Sequence, residues 1–164
     1  MPIAGNSWSA TIALTAFAIS TAHAETLYNY TGNVFDASTT PYSASNRVTG
    51  SMTLAQPLKN NVTESVTPVA FTFTDGKQTI SNSSPLDPNN TLFKFTTDAT
   101  GNVINWAVDV EIVDPRSTPN NHIMTCGIVD RDYAPFCTAN DRAHTNAPSS
   151  TGYNGTPGKW AKGQ

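Results

Sequence analysis

The chain has 164 residues, with nine Lys and Arg against twelve Asp and Glu for a net charge of −3. Nucleic acid needs clustered cations for its phosphates, and a polybasic membrane-surface binder needs them for anionic lipid, so this balance excludes both. Ser, Thr and Asn supply 54 residues and charged residues only 13%; the low net charge argues against disorder, which points to a weakly acidic, Thr-rich β-type domain.

The first 24 residues carry no charged side chain. Thr11 to Ser20 is an apolar run with the length of a signal-peptide core, too short for the roughly 20 residues of a bilayer span. Ala22-His23-Ala24 fits the small-x-small rule for signal peptidase, which predicts a cut between Ala24 and Glu25. The segment before the apolar run lacks the Lys or Arg that such leaders usually carry. Cleavage would leave 140 residues, enough for one core, with no membrane span after the cut.

From Leu27 the chain reads as short alternating segments between turn signals. Leu27 to Phe35 is a first strand with Tyr28 and Tyr30 on one face. Val48, Gly50, Met52 and Leu54 alternate with Thr49, Ser51 and Thr53, the period-2 pattern of a half-buried strand. Val69, Phe71 and Phe73 alternate with Ala70, Thr72 and Thr74, and Asp75-Gly76 follows at once. That dipeptide suits a two-residue type I′ turn, which would set Thr74 opposite Lys77 and Phe71 opposite Ile80. Leu92 to Thr97 is the next strand, with Phe93 and Phe95 inward, and Gly101 suits a left-handed position in the turn that follows. Ile104, Trp106, Val108, Val110 and Ile112 then face one way, and Asn105, Ala107, Asp109 and Glu111 the other, towards solvent. Asp114 to Asn121 is a Pro-containing loop, and His122 to Val129 the last firm strand.

After Asn140 the composition turns to Ser, Thr, Asn, Gly and Pro, which predicts a flexible tail over 140–164. The fold expected is all-β: a single antiparallel β-sandwich of about seven or eight strands over 25–139, behind a signal peptide at 1–24. Cys126 and Cys137 are the only cysteines. In an exported chain an even pair suggests a disulfide, and closing that loop would stabilise by roughly 3 kcal/mol.

Tyr28–Phe35 (YNYTGNVF), Arg47–Leu58 (RVTGSMTLAQPL), Phe71–Ile80 (FTFTDGKQTI) and Phe93–Val110 (FKFTTDATGNVINWAVDV) resemble segments of secreted bacterial proteins of unknown function, many of which carry a PEP-CTERM sorting tail. The resemblance implies export and a β-rich ectodomain, and brings no catalytic residues. The residues Gly158 to Gln164 show no Pro-Glu-Pro, apolar span or basic cluster of such a tail.

Candidate chemistry is thin. His122, Cys126, Cys137 and His144 are ligand types for zinc, but their spacing fits none of its common sites. Asp98 with Asn102, Asp87 with Asn90, and Asp130 with Asp132 place oxygens on loops; calcium wants six to eight, whereas Asp and Asn favour turns for their own backbone reasons. A hydrolase would draw on His122 or His144 as base, or on Asp109 and Glu111 as a carboxylate pair, yet no Gly-x-Ser-x-Gly occurs. Sequons at Asn29, Asn61, Asn82, Asn89 and Asn154 are no more than chance expects in this composition. The expectation is therefore a secreted, non-catalytic matrix or surface component with no cofactor, metal or catalytic residue. Extracellular polysaccharide is the candidate partner, and a carbohydrate-binding module or a small secreted hydrolase are the alternatives.

Overall fold

The computed structural model describes residues 1, 24–113, 121–127, 140–146 and 149–163. The signal-peptide segment, the loop after β8, and Cys137, Asp130 and Asp132 lie outside the described residues. Twelve strands are described: β1 (Thr26–Val34), β2 (Ala37–Ser38), β3 (Arg47–Leu54), β4 (Thr63–Ser65), β5 (Ala70–Thr74), β6 (Thr79–Ser81), β7 (Leu92–Thr97), β8 (Val103–Ile112), β9 (Asn121–Cys126), β10 (Asn140–Asn146), β11 (Ser149–Asn154) and β12 (Lys159–Lys162). They form two open antiparallel sheets, sheet A in the order β12-β1-β3-β5-β6 and sheet B in the order β2-β11-β10-β9-β8-β7-β4. The chain is an all-β sandwich, as the alternation predicts. No helix among the described residues is long and apolar enough to cross a membrane.

The core lies between the sheets. Sheet A turns Tyr28, Tyr30, Val48, Met52, Phe71, Phe73 and Ile80 inward, and sheet B answers with Phe93, Phe95, Trp106, Val108, Val110, Ile123 and Ala143. Because side chains alternate along a strand, the same alternation that fills this core sends Thr, Ser and Asn to the outer faces.

Three expectations are corrected. The largest concerns 140–164, which is no flexible tail. β10 and β11 extend sheet B beyond β9, β12 joins sheet A beside β1, and Ala143 and Asp141 are fully buried. Paired neighbours on both sides satisfy the backbone of β10 whatever its composition. These three strands, β10, β11 and β12, with the short β2 and β4, raise the count above the seven or eight expected.

The second correction is the register after Asp75-Gly76. Phe73, not Phe71, opposes Ile80, and Thr74 opposes Thr79. The Asp75 Oδ1 accepts the amides of Lys77 and Gln78 at 2.7 and 2.8 Å, so the side chain closes a longer turn than the dipeptide alone would set. The third is Ile104, which is 51% exposed. The register between β7 and β8 shifts there, with Thr96 opposite Asn105 and Thr97 opposite Val103. Ile104 is the extra residue of this bulge, so Val103 takes the inward position instead.

Tyr30 and Gln78 tie the sheets together. Tyr30 Oη on β1 donates to Asp141 Oδ1 on β10 at 2.5 Å. Tyr42 Oη donates to Asp75 Oδ2 at 2.7 Å in the β5–β6 turn. That turn is held to sheet B by Gln78, whose Nε2 donates to the carbonyls of His144 and His122 at 2.9 and 3.2 Å.

Candidate functional site

The strand registers sort the polar residues onto two outer faces of opposite character. On sheet B, Glu111, His122, His144 and Thr151 stand side by side across four strands. The two imidazoles are near-parallel, with ring centroids 5.5 Å apart. Leu92, Asp109, Met124, Arg142 and Tyr153 form the neighbouring row, and Lys94, Ala107, Cys126 and Asn140 the next.

This face departs from the expectation that Asp109 and Glu111 point freely to solvent. Asp109 is mostly buried, and its Oδ1 meets no hydrogen-bond donor among the described residues. Burial, and then the adjacent Glu111 carboxylate, raise its pKa to about 7, against the opposing pull of Arg142. His144, placed in a tail by composition, is instead 4% exposed at the centre of sheet B.

The zinc quartet is split. His122 and His144 are cross-strand neighbours, whereas Cys126 lies two rows away on the same face and Cys137 outside the described residues. No group of three or more His, Cys, Asp and Glu close enough to hold a metal ion occurs among the described residues.

The loop carboxylates considered for calcium are occupied by their own turns. Asp98 Oδ1 accepts from the Thr100 amide and hydroxyl, both at 2.8 Å, and from the Asn102 amide at 2.9 Å; its Oδ2 accepts from Asn102 Nδ2 at 3.0 Å. These donors hold its carboxyl far below the usual carboxylate range. Gly101, at φ +83°, supplies the left-handed residue the turn requires. Asp87 likewise accepts from the Asn89 amide and from Asn90 Nδ2 at 2.9 and 3.0 Å.

The outer face of sheet A is different in kind. Its rows run Ala161–Asn29–Ser51–Thr72–Ser81, then Lys159–Thr31–Thr49–Thr74–Thr79, and finally Leu27–Thr53–Ala70. Lys159, on the outermost strand, is the only charged side chain in these rows. The side chains of Asn29, Thr31, Thr49, Ser51, Thr53, Thr72 and Thr79 are exposed or half-exposed, and none makes a hydrogen bond among the described residues. Elsewhere, residues of the same types spend theirs internally: Thr63 on Thr96, Thr97 on the Lys59 carbonyl, Asn154 on the Val34 carbonyl, and Ser43, Ser45 and Asn46 on one another. The sheet A face thus presents a broad neutral array of donors and acceptors whose capacity the fold leaves unused.

Two grooves flank the strap Val66–Thr67 at one edge of the sandwich. One, of about 420 Å³, is lined by Val66, Pro68, Phe71, Leu86, Leu92 and Phe93 with Ser65, Thr67, Asn82 and Thr91. The other, of about 330 Å³, runs along Leu54 to Lys59.

Sequence reasoning missed Asp141. Its carboxyl is fully buried between the sheets, where burial raises its pKa to about 6 although Tyr30, Thr125 and the Gly158 amide act to lower it. The alternation of Asp141 and Ala143 with Arg142 and His144 was the available signal, hidden by the polar composition around it. No family of proteins, curated protein or solved structure matches this chain.

Proposed function

We propose that the protein is a secreted, non-catalytic binding component of the extracellular matrix or cell surface, and that it holds neutral polysaccharide on the outer face of sheet A. The observation that carries this reading is the set of seven unengaged hydroxyl and amide side chains on that face. A sugar offers many hydroxyls and no charge, so it can exchange its water for such an array without a desolvated ion on either side. A nucleic acid or anionic lipid would meet no cluster of cations there. Sheet B's outer face, by contrast, holds its ionisable groups half-buried or buried.

The test is retention of neutral polysaccharide from the producer's envelope and extracellular material by immobilised protein. The triple variant Asn29→Ala, Ser51→Ala, Thr72→Val removes three side-chain partners from one row while keeping strand-compatible residues. At about 1 kcal/mol of net stabilisation per hydrogen bond, it should bind at least tenfold more weakly. Equal binding by the variant, or no neutral polymer retained by the parent protein, would rule the reading out.

Export is part of this proposal and has its own check. The secreted protein should begin at Glu25, and its intact mass under non-reducing conditions should lie about two hydrogens below the dithiol value, for a Cys126–Cys137 bridge. A mass that does not change on reduction would remove the bridge.

A further inference from the structure

The arrangement of the sheet A face narrows the ligand beyond "neutral polysaccharide", and this step rests on the reading above. We infer that the ligand is a single, extended, unbranched neutral glycan chain lying across the strands, one sugar residue per strand. The unengaged side chains extend across the strands as well as along β3: Asn29, Ser51 and Thr72 share one row, and Thr31, Thr49 and Thr79 the row beside it. Together the two rows offer an unengaged side chain on β1, β3, β5 and β6; at the other positions Ala161 has no polar group, Lys159 is charged, Ser81 bonds to Ser83 and Thr74 to the Gln78 carbonyl. Neighbouring strands are about 4.8 Å apart, close to the advance of one sugar along an extended chain. Successive sugars can therefore meet successive strands in step. The two rows are about 7 Å apart, two residues along a strand, so one row can serve each long edge of the same chain. A branch at every sugar would lift the chain from this contact.

Charge supports the same occupant. Lys159 stands at the β12 end of its row, and Arg47 lies beyond the rows at the start of β3. A neutral chain can cross β1, β3, β5 and β6 without meeting a fixed charge.

Sheet geometry excludes a crystalline polymer surface. Adjacent strands are rotated by about 20–25°, so five strands turn through roughly 80–100°. A rigid flat face could touch only two or three strands at once. A single chain, able to rotate at each glycosidic linkage, can follow the whole row.

The experiment is a titration of the full chain with linear neutral oligosaccharides, gluco-, manno- and N-acetylglucosamine series, from disaccharide to heptasaccharide. Binding of the matching series should tighten roughly two- to tenfold per added sugar, the range one net hydrogen bond supports, and level off near the tetrasaccharide. The triple variant, checked for an unchanged melting temperature, should lose that dependence on length. Insoluble crystalline polymer of the same sugar should retain far less protein than soluble chains do. If neutral polymer binds but affinity is flat beyond the disaccharide, or crystalline polymer binds as well, the extended-chain inference fails while the broader reading stands. If no neutral polymer or oligosaccharide binds, both fail.

Discussion

The folded protein should be more stable near pH 5 than near pH 8, the reverse of what paired surface carboxylates produce. Asp109 and Asp141 carry pKa values raised to about 7 and about 6, against about 3.9 for Asp in an unfolded chain. Between those values the folded state binds more protons than the unfolded state, so the free energy of unfolding falls as pH rises. Their contribution is complete below about pH 4 and is lost as the pH climbs through 6 and 7. Each tenfold gain in proton affinity on folding is worth about 1.4 kcal/mol, so the two acids together set a difference of several kcal/mol. Asp98 acts oppositely: its lowered pKa makes stability fall once the pH drops below the ordinary Asp value. The profile should therefore peak between about pH 4 and 5.

Urea unfolding across this range checks the claim, and Asp109→Asn sharpens it. The amide removes a buried charge whose Oδ1 has no donor among the described residues, so the variant should gain roughly 1–3 kcal/mol near pH 8 and nothing near pH 4.5. Asp141→Asn keeps an acceptor for Tyr30 Oη and should flatten the remaining slope. A parent profile that climbs steadily towards pH 8, or an Asp109→Asn gain independent of pH, would show that these acids are ionised at no cost in the native state.

Where the sequence is legible, one physical rule acts alone. Trp106, Val108 and Val110 on β8 are buried because an alternating strand of a two-faced sheet has no other way to lie. Phe93 and Phe95 follow the same rule on β7. Legibility is lost where a local device intervenes. Alternation carried back to Ile104 meets a bulge, and a bulge reverses every face beyond it. Asp75-Gly76 reads as a two-residue turn, yet the Asp75 carboxylate captures two further amides and shifts the register. The candidate site divides in the same way. That Thr and Ser of β3 and β5 face outward is readable from alternation. That they align into rows of five depends on pairing β12, β1, β3, β5 and β6 in that order, and no local signal specifies strand order. The segment from 140 onward was obscured because a polar strand and a polar tail share a composition. They differ in their neighbours, which only the tertiary structure supplies.

Trp160 offers the most direct test that this last segment belongs to the fold. On β12 its neighbours Lys159, Ala161 and Lys162 are exposed, so Trp160 is the strand's one side chain packed against the core. Its ring lies 5.2 Å from Tyr30, 6.1 Å from Phe73 and 5.2 Å from Phe95, centroid to centroid. The chain reaches this position through Gly158, whose amide donates to Tyr30 Oη at 2.6 Å. Gly158 lies so close to the Thr31 carbonyl that a Cβ would collide with it. Trp160→Ala should cost about 3 kcal/mol or more, by opening a cavity among three aromatic rings. Trp160→Phe should cost less than about 1.5 kcal/mol. It keeps a ring in place and removes the Trp160 Nε1–H, which is buried without an acceptor among the described residues, an arrangement that itself costs about 1–3 kcal/mol. The ordering of the two variants in urea unfolding followed by circular dichroism is decisive. A tail would leave both at parent stability, a docking by burial alone would penalise both in proportion to lost area, and a packed strand with an unsatisfied donor penalises the alanine fully but the phenylalanine by less than its lost area.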